Sequence, residues 1–326
     1  MNNSVNALPD RDPVALNTQK QNIKQGSLSG RIADTDIRLL RIFRTVVECG
    51  GFAAAEADLN ISRAAISMAI SDLETRLSLK LCLRGRAGFS LTDQGSEVFV
   101  AVLQLLSALE DFKTQVNGIH AQLKGELNIG ITDNLITMPK TLITNALRDL
   151  KIEGPEVRLN IRMSPPGEIE IAILDGQLHV GVVPILKPLS GLEYIPLYEE
   201  ESLLYCSDKH PLFMLPESEI EQVDLGGYDA VLPTYAQRTD IRSQNLQLKG
   251  TASASDREGI AFLILTGQYI GYLPIHFAER WLMQGRVRAL LPRKLNYLSH
   301  YGVITRKSAR PNRILDSFLG YLPPPP

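Results

Sequence analysis

Residues 50–95, GGFAAAEADLNISRAAISMAISDLETRLSLKLCLRGRAGFSLTDQG, decide how this 326-residue chain is read. They scan as two helices joined by a tight turn, then a short basic hairpin, then the start of another helix. Ala53, Ala54, Ala55 and Ala57 make the first helix thin enough for a second to cross close against it. The second opens at Ser62 and repeats apolar residues at Ala65, Ile66, Ala69, Ile70, Leu73 and Leu77, an amphipathic period. Its other face carries Arg63, Ser67 and Ser71 rather than the Glu/Lys mix of an ordinary solvated helix. A winged helix-turn-helix needs that combination to lay a helix in the DNA major groove.

Around this stretch the composition is that of a globular protein, 44% hydrophobic and 21% charged. The length predicts two or three domains. No apolar run approaches the ~18–20 residues that span a bilayer, and the polar start, broken by Pro9 and Pro13, lacks a signal-peptide core. The expectation is a cytoplasmic protein with a disordered tail over residues 1–33 and a short polyproline tail at 323–326. Cys49, Cys82 and Cys206 are too scattered for a disulfide framework or a zinc site, so no metal and no cofactor is expected. The overall net charge of −2 is unfavourable for DNA, but the local field matters more. Between Arg31 and Leu91, nine basic residues stand against seven acidic ones, a mild +2.

Upstream, a first helix is expected from an N-cap at Thr35 or Asp36, with a buried stripe of Ile37, Leu40, Phe43 and Val47, ending at Cys49-Gly50-Gly51. Downstream, Leu79–Leu91 reads as a wing turning at Arg84-Gly85-Arg86-Ala87-Gly88, its arginines projecting toward phosphate; an exposed basic loop is the plainer alternative. Val98, Val102, Leu105, Leu109, Phe112, Val116, Ile119 and Leu123 then follow alternating steps of four and three, a heptad seam on a helix roughly 40 Å long. Such a seam fits a homodimer; a helix folded back on its own domain has the same spacing.

After Lys124-Gly125, short strands and helices alternate. Strands are expected at Glu126–Ile131, Val157–Met163, His179–Val183, Leu203–Cys206, Ala230–Leu232, Ile270–Leu273, Val287–Leu291 and Gly302–Thr305. Helices are expected at Met138–Leu150, Glu168–Leu174, Gln237–Asn245, Arg257–Leu265, Ile275–Met283 and Asn312–Leu319. The pattern is an α/β domain with largely parallel sheets.

The order Gly50, Phe52, Ala54-Ala55-Glu56, Leu59, Ser62, Ala65-Ile66-Ser67, Ile70, Leu73-Glu74, Leu77, Leu81, Arg84, Leu91-Thr92 and Gly95, followed by the long helix, resembles the LysR-type transcriptional regulators. The resemblance runs from Asp36 to Leu322. It implies an all-α winged helix-turn-helix (34–92), a linker and dimerisation helix (93–123) and an effector domain (124–322) like the two-lobed periplasmic binding proteins. Lobe I would span about 124–187 and 290–322, and lobe II about 188–289. It further implies promoter DNA, a small-molecule inducer, a dimer or tetramer and RNA polymerase as partners. Arg63, Ala64, Met68 and Cys82 depart from the family's usual Gln, Pro, Arg and Phe. Arginine in place of glutamine moves the favoured base edge from adenine toward guanine.

The DNA-reading set expected from this pattern is Phe52, Ala53, Ser62, Arg63, Ala64, Ser67, Met68, Ser71, Arg84 and Arg86. Ligands of two-lobed α/β domains sit beyond strand C-termini, near helix N-termini. That rule selects Thr132, Asp133, Asn134, Ser164, Pro165, Pro166, Pro233, Thr234, Tyr235 and Asp256 with its neighbour Ser255, and Tyr272 at a strand end. Each is also an ordinary cap or turn residue. No nucleophile elbow, phosphate-cradling loop or metal spacing marks an enzyme. A ligand-independent repressor or architectural DNA binder is the competing function.

Overall fold

The computed structural model describes residues 32–85, 88–119, 123–138, 142–245, 247–307 and 311–324. Nearly all of the expected N-terminal tail therefore lies outside the described residues. The chain divides into two compact units, residues 1–96 and 97–326.

The first unit holds α1 (Asp34–Glu48), α2 (Ala55–Leu59), α3 (Arg63–Leu77), the wing strands β1 (Cys82–Gly85) and β2 (Gly88–Leu91), and the opening of α4 (Asp93–Ile119). Helix α1 starts after Ala33, earlier than expected, and the Asp36 carboxylate accepts the Ala33 N–H at 2.8 Å. Its buried stripe is Leu39, Ile42, Phe43 and Val46; Ile37, Leu40 and Val47 are only half-buried. The apolar band of α1 is broad enough to accept either phase, and packing on α3 selects this one. At its end Gly50 takes φ +73°, the left-handed conformation a helix stop requires.

In α3, Ile66, Ile70, Leu73 and Glu74 are buried, whereas Ala65, expected inside, is exposed. Glu74 ties the wing to this helix. Its Oε1 accepts the N–H groups of Leu81 (2.9 Å) and Cys82 (3.1 Å), and Lys80 Nζ lies 2.5 Å from Oε2. Burial raises the Glu74 pKa, but the Lys80 contact and the two amides outweigh it and hold the carboxyl below its ordinary value. The contribution is therefore complete above the unfolded glutamate pKa, about 4.3, and is lost as pH falls through the lower folded value. Amide protection at Leu81 and Cys82 should fall on acidification below pH ~4.3. Glu74→Gln, which keeps an acceptor but loses the ion pair, should weaken the wing by about 1–3 kcal/mol at pH 7 and flatten that dependence, as read by hydrogen exchange. Below the wing, the Thr92 hydroxyl donates to the Lys80 carbonyl (2.5 Å) and accepts the Gly95 N–H (2.8 Å). A Cβ at Gly95 would collide with the Leu81 carbonyl, so only glycine lets α4 begin this close to β1.

The second unit continues with β3 (Lys124–Ile131), α5 (Leu142–Glu153), β4 (Glu156–Met163), α6 (Pro166–Leu174), β5 (Val180–Pro184) and β6 (Leu192–Ser207). Next come α7 (Glu217–Ile220), β7 (Asp229–Pro233), α8 (Thr239–Asn245), β8 (Lys249–Ala254), α9 (Arg257–Leu265), β9 (Gly271–Pro274) and α10 (Ile275–Met283). It closes with β10 (Val287–Ala289), β11 (Asn296–Arg306) and α11 (Arg313–Gly320). Met138, expected to open a helix, is extended and follows a 3-10 turn over Leu135–Thr137; α5 is described from Leu142 onward.

One sheet runs β10-β6-β11-β5-β3-β4 with β9 also on β6, and β7–β8 form a second. Among the described strands, β3–β4, β3–β5 and β7–β8 pair in parallel, and β5–β11, β11–β6, β6–β9 and β6–β10 pair antiparallel. The largely parallel sheet predicted from the βαβ alternation is thus corrected to a mixed one. The cause is β6 and β11, read as four-residue strands because Pro196 and Glu199–Glu201 interrupt the apolar run of β6. They are long crossover strands that serve both lobes.

Core membership places the switch between lobes inside those two strands. Leu192, Leu197 and Tyr198 pack with the first lobe, as do Tyr301 and Val303. Leu203, Tyr205, Leu290, Leu291 and Tyr297 pack with the second. The boundaries expected at 187/188 and 289/290 therefore move to about 200 and 299. At the crossing, the Tyr198 and Tyr301 rings stack at 5.0 Å beside a register shift between Tyr301 and Gly302.

Helix α4 has two faces within this unit. Gln104, Ser107, Asp111 and Thr114 turn to the first lobe. Gln104 Nε2 donates to Asp175 (3.3 Å), Ser107 Oγ to the Gly176 carbonyl, and Asp111 accepts from His179 Nε2 (3.3 Å). Thr114 is buried beside Gly125. The expected seam lies on the other side of the helix. There Val102 is buried, Val98, Leu105 and Leu109 are half-buried, and Phe112 and Val116 are 61% and 38% exposed. The side chain of Ile119 is outside the described residues, and Leu123 leaves the seam to pack on the first-lobe core.

Candidate DNA-reading face and interlobe cleft

In the first unit, burial of Ile66, Ile70 and Leu73 turns the opposite edge of α3 outward. Ser62, Arg63, Ala64, Met68 and Ser71 are exposed there, Met68 at 68%, and Ser67 is half-buried. Ser62 is also the N-cap: its Oγ accepts the Ala65 N–H at 3.3 Å, leaving its own proton free to donate. The Arg63 N–H is taken by Glu56 Oε1 at 2.5 Å, which ties the recognition helix to α2.

A groove of about 390 Å³ runs along this edge, lined by Gly50–Ala54, Arg63 and Ser67 on one side and Leu83, Gly88 and Phe89 of the wing on the other. Phe52 meets Phe89 edge-on at 5.7 Å and braces the wing, so its role is packing as well as lining. Ala53 is exposed in the groove. Arg86 and the side chain of Arg84 lie outside the described residues.

Several other basic residues of this unit are engaged: Arg76 with Asp36, Arg44 with Glu48 and Lys80 with Glu74. Among the described residues, Arg63 forms no ion pair. The local charge count understated its weight, because pairing removes much of the rest.

In the second unit, a cavity of about 230 Å³ opens between the lobes. Thr132, Asp133, Ser164, Pro165, Pro166, Tyr235, Ser255 and Asp256 all line it, as the sequence led one to expect, together with Met163, Pro184 and Arg257. Four expected residues are not in its lining. Asn134 is buried in the turn, where its amide braces Asp133 (2.8 Å). Pro233 ends β7, and the Thr234 hydroxyl donates to the Ala254 carbonyl (3.3 Å). Tyr272 points into the second-lobe core against Tyr297, since the strand-end rule cannot tell which face a side chain takes.

The sequence reading missed the centre of the cleft, Arg257. Asp256 caps α9 by accepting the Gly259 N–H (2.7 Å), which sets Arg257 as the first helical residue and aims it inward. Its guanidinium reaches Asp133 Oδ1 (2.6 Å), Glu200 Oε1 (3.1 Å) and the Tyr301 hydroxyl (2.5 Å), and its N–H donates to Asp133 Oδ2 (2.8 Å). Burial works against the charge of Arg257, but Tyr301, Glu200, Tyr235 and Asp133 overcome it and hold the group firmly protonated. Burial likewise drives the phenols of Tyr198, Tyr235 and Tyr301 upward, so all three stay neutral.

His276 extends the network. Its Nε2 lies 3.0 Å from Glu200 Oε2 and its Nδ1 2.7 Å from Thr137 Oγ1. Asp133 and Thr137 belong to the first lobe and Arg257 and His276 to the second, so these bonds cross the cleft. One signal for Arg257 was available, its place next to an N-cap aspartate. Nothing local marked Glu200 or His276.

Comparison with known proteins agrees with both units. Residues 37–96 match the model described as "Bacterial regulatory helix-turn-helix protein, lysR family", and residues 120–323 that of the "LysR substrate binding domain". The HTH-type transcriptional activator BauR of Pseudomonas aeruginosa is 54% identical over 290 residues, covering 89% of this chain and 95% of that protein. The uncharacterized regulator YvbU of Bacillus subtilis is 26% identical over 253 residues, covering 73% of this chain and 84% of its own. The crystal structure of CbnR, a LysR family transcriptional regulator, superposes with a TM-score of 0.64 at 18% identity, covering 87% of this chain and 97% of that one. CbnR complexed with its target DNA gives 0.62 at 19%, with the same coverage. No helix among the described residues is long and apolar enough to cross a membrane. Helix-turn-helix, wing and two-lobed α/β domain thus occur together in one chain, and the chain belongs to the LysR family of DNA-binding transcriptional regulators.

Proposed function

We propose that this chain activates transcription from a promoter site read by Ser62, Arg63, Ala64, Ser67, Met68 and Ser71, under control of a small molecule held in the interlobe cleft. The outward α3 edge with its unpaired Arg63 is the observation that carries the DNA half. The cavity between lobes that are already cross-bonded carries the control half. Activation rests on the similarity to BauR, a transcriptional activator of Pseudomonas aeruginosa. Arg84 and Arg86 complete the reader on phosphate or in the minor groove. Selection of bound fragments from a random DNA pool by the full chain should enrich a two-fold symmetric site with half-sites about 10 bp apart or a multiple of that. Enrichment of a single asymmetric motif would remove the paired reader.

Pairing is assigned to the apolar side of α4, because the polar side is spent on the chain's own first lobe. Exposed Phe112 and Val116 on that apolar side need a cover, and a second copy of the helix supplies it. Leu109→Asp should convert the sedimenting species to monomer and reduce affinity for a two-half-site operator by more than 100-fold. A variant that still sediments as a native dimer rejects the seam. Localisation in the cytoplasm follows from this role at the promoter.

A further inference from the structure

We infer that the effector of this cleft carries an ammonium group, seated between Asp133 and Asp256. The inference rests on the reading of the cleft as the effector site and names the chemistry that site selects. Asp133 from the first lobe and Asp256 from the second line the same 230 Å³ cavity. With Glu200 behind them, three carboxylates stand around one buried permanent cation, Arg257, while Arg162, donating to Ser164 Oγ at 3.2 Å, is an exposed cation at the rim.

Arg257 is not free to receive an anion. Both terminal nitrogens and its backbone N–H already serve Asp133, Glu200 and Tyr301, at a side chain only 9% exposed. A ligand carboxylate directed at Arg257 would have to evict Asp133 and leave it facing Asp256 and Glu200 with no cation, an arrangement electrostatics opposes. An ammonium disturbs nothing: it uses the remaining lone pairs of Asp133 and Asp256 and turns their mutual repulsion into a bridge between lobes.

The aromatic lining agrees: the Tyr235 ring lines the cavity and already faces a cation, with the Arg257 guanidinium carbon 5.7 Å from its centroid. Cavity size limits the body of the ligand, since 230 Å³ holds roughly eight water-sized groups at ~30 Å³ each. Pro165, Pro166 and Pro184 offer that body an apolar wall.

The test uses the full chain and three size-matched probe sets of two to six carbons: 1-aminoalkanes, amino acids and alkanoates, followed by thermal melting and calorimetric titration. Amine-bearing probes should raise the melting temperature in a saturable way, and alkanoates should not. Asp256→Asn, in which asparagine still caps α9, should melt like the wild type without probe and bind the amine-bearing probe at least tenfold more weakly. Stabilisation by alkanoates equal to or above that by amines overturns the ammonium assignment and leaves the cleft as the site. Amine binding that is unchanged in both Asp256→Asn and Asp133→Asn overturns the cleft itself. No shift with any probe overturns both. Comparison of the 1-aminoalkane and amino-acid arms separates a monoamine from an amino acid as the source of the ammonium.

Discussion

Arg257→Met should destabilise the second unit by about 3–5 kcal/mol, because it removes the one permanent cation from a buried network and leaves Glu200, 1% exposed, without it. Trp281 is the only tryptophan of the chain and lies in α10, so its fluorescence reports urea unfolding of this unit within the intact protein. Arg257→Lys should recover part of the loss, since a single ammonium cannot reach Asp133, Glu200 and Tyr301 together as the planar guanidinium does. A shift below 1 kcal/mol at pH 7 would show that the carboxylates do not depend on Arg257.

Arg63→Ala should cost ~1–3 kcal/mol of affinity per half-site and relax base preference at one position in each. The guanidinium stands on the exposed edge of α3, and its backbone N–H is fixed by Glu56, so the side chain starts from a defined point of the groove. A guanine presents N7 and O6 to such a group as a bidentate partner. Affinity measured over a set of single-base operator variants, each at several salt concentrations, distinguishes two roles. A base contact changes the ranking of the variants and hardly moves the salt slope. A phosphate contact weakens all variants alike and lowers the slope by about one. In a symmetric dimer the loss per operator doubles, because each half-site loses the same contact.

Much of the DNA-reading unit was legible in the sequence, and the reason is local. Ser62 as N-cap, the Ile66, Ile70 and Leu73 stripe, and the glycines at 50 and 88 each act over a few residues, and their spacing shows in one dimension. The phase of α1 was misjudged for the same kind of reason in reverse. Ile37, Leu40 and Val47 satisfy a helical period as well as Leu39, Ile42 and Val46 do, and only contact with α3 separates them. Burial of Glu74 was invisible, since a glutamate inside a helix reads as a solvated charge until the wing brings two amides and Lys80 to it.

The cleft divides the same way. Eight of its lining residues follow from where strands end and helices begin, which sequence periodicity locates. Its electrostatic centre does not, because Asp133, Glu200, Arg257, His276 and Tyr301 come from five separate elements between positions 133 and 301. By itself the sequence determined a helix-turn-helix with an arginine at its reading edge, a long helix with an apolar stripe, and an α/β domain to follow. Tertiary structure alone decided that β6 and β11 cross between lobes, that the polar side of α4 belongs to its own chain, and that one arginine is held by carboxylates of both lobes. Local periodicity encodes which face of an element is apolar; pairing of charges distant in sequence is set only when the sheet brings them within about 3 Å.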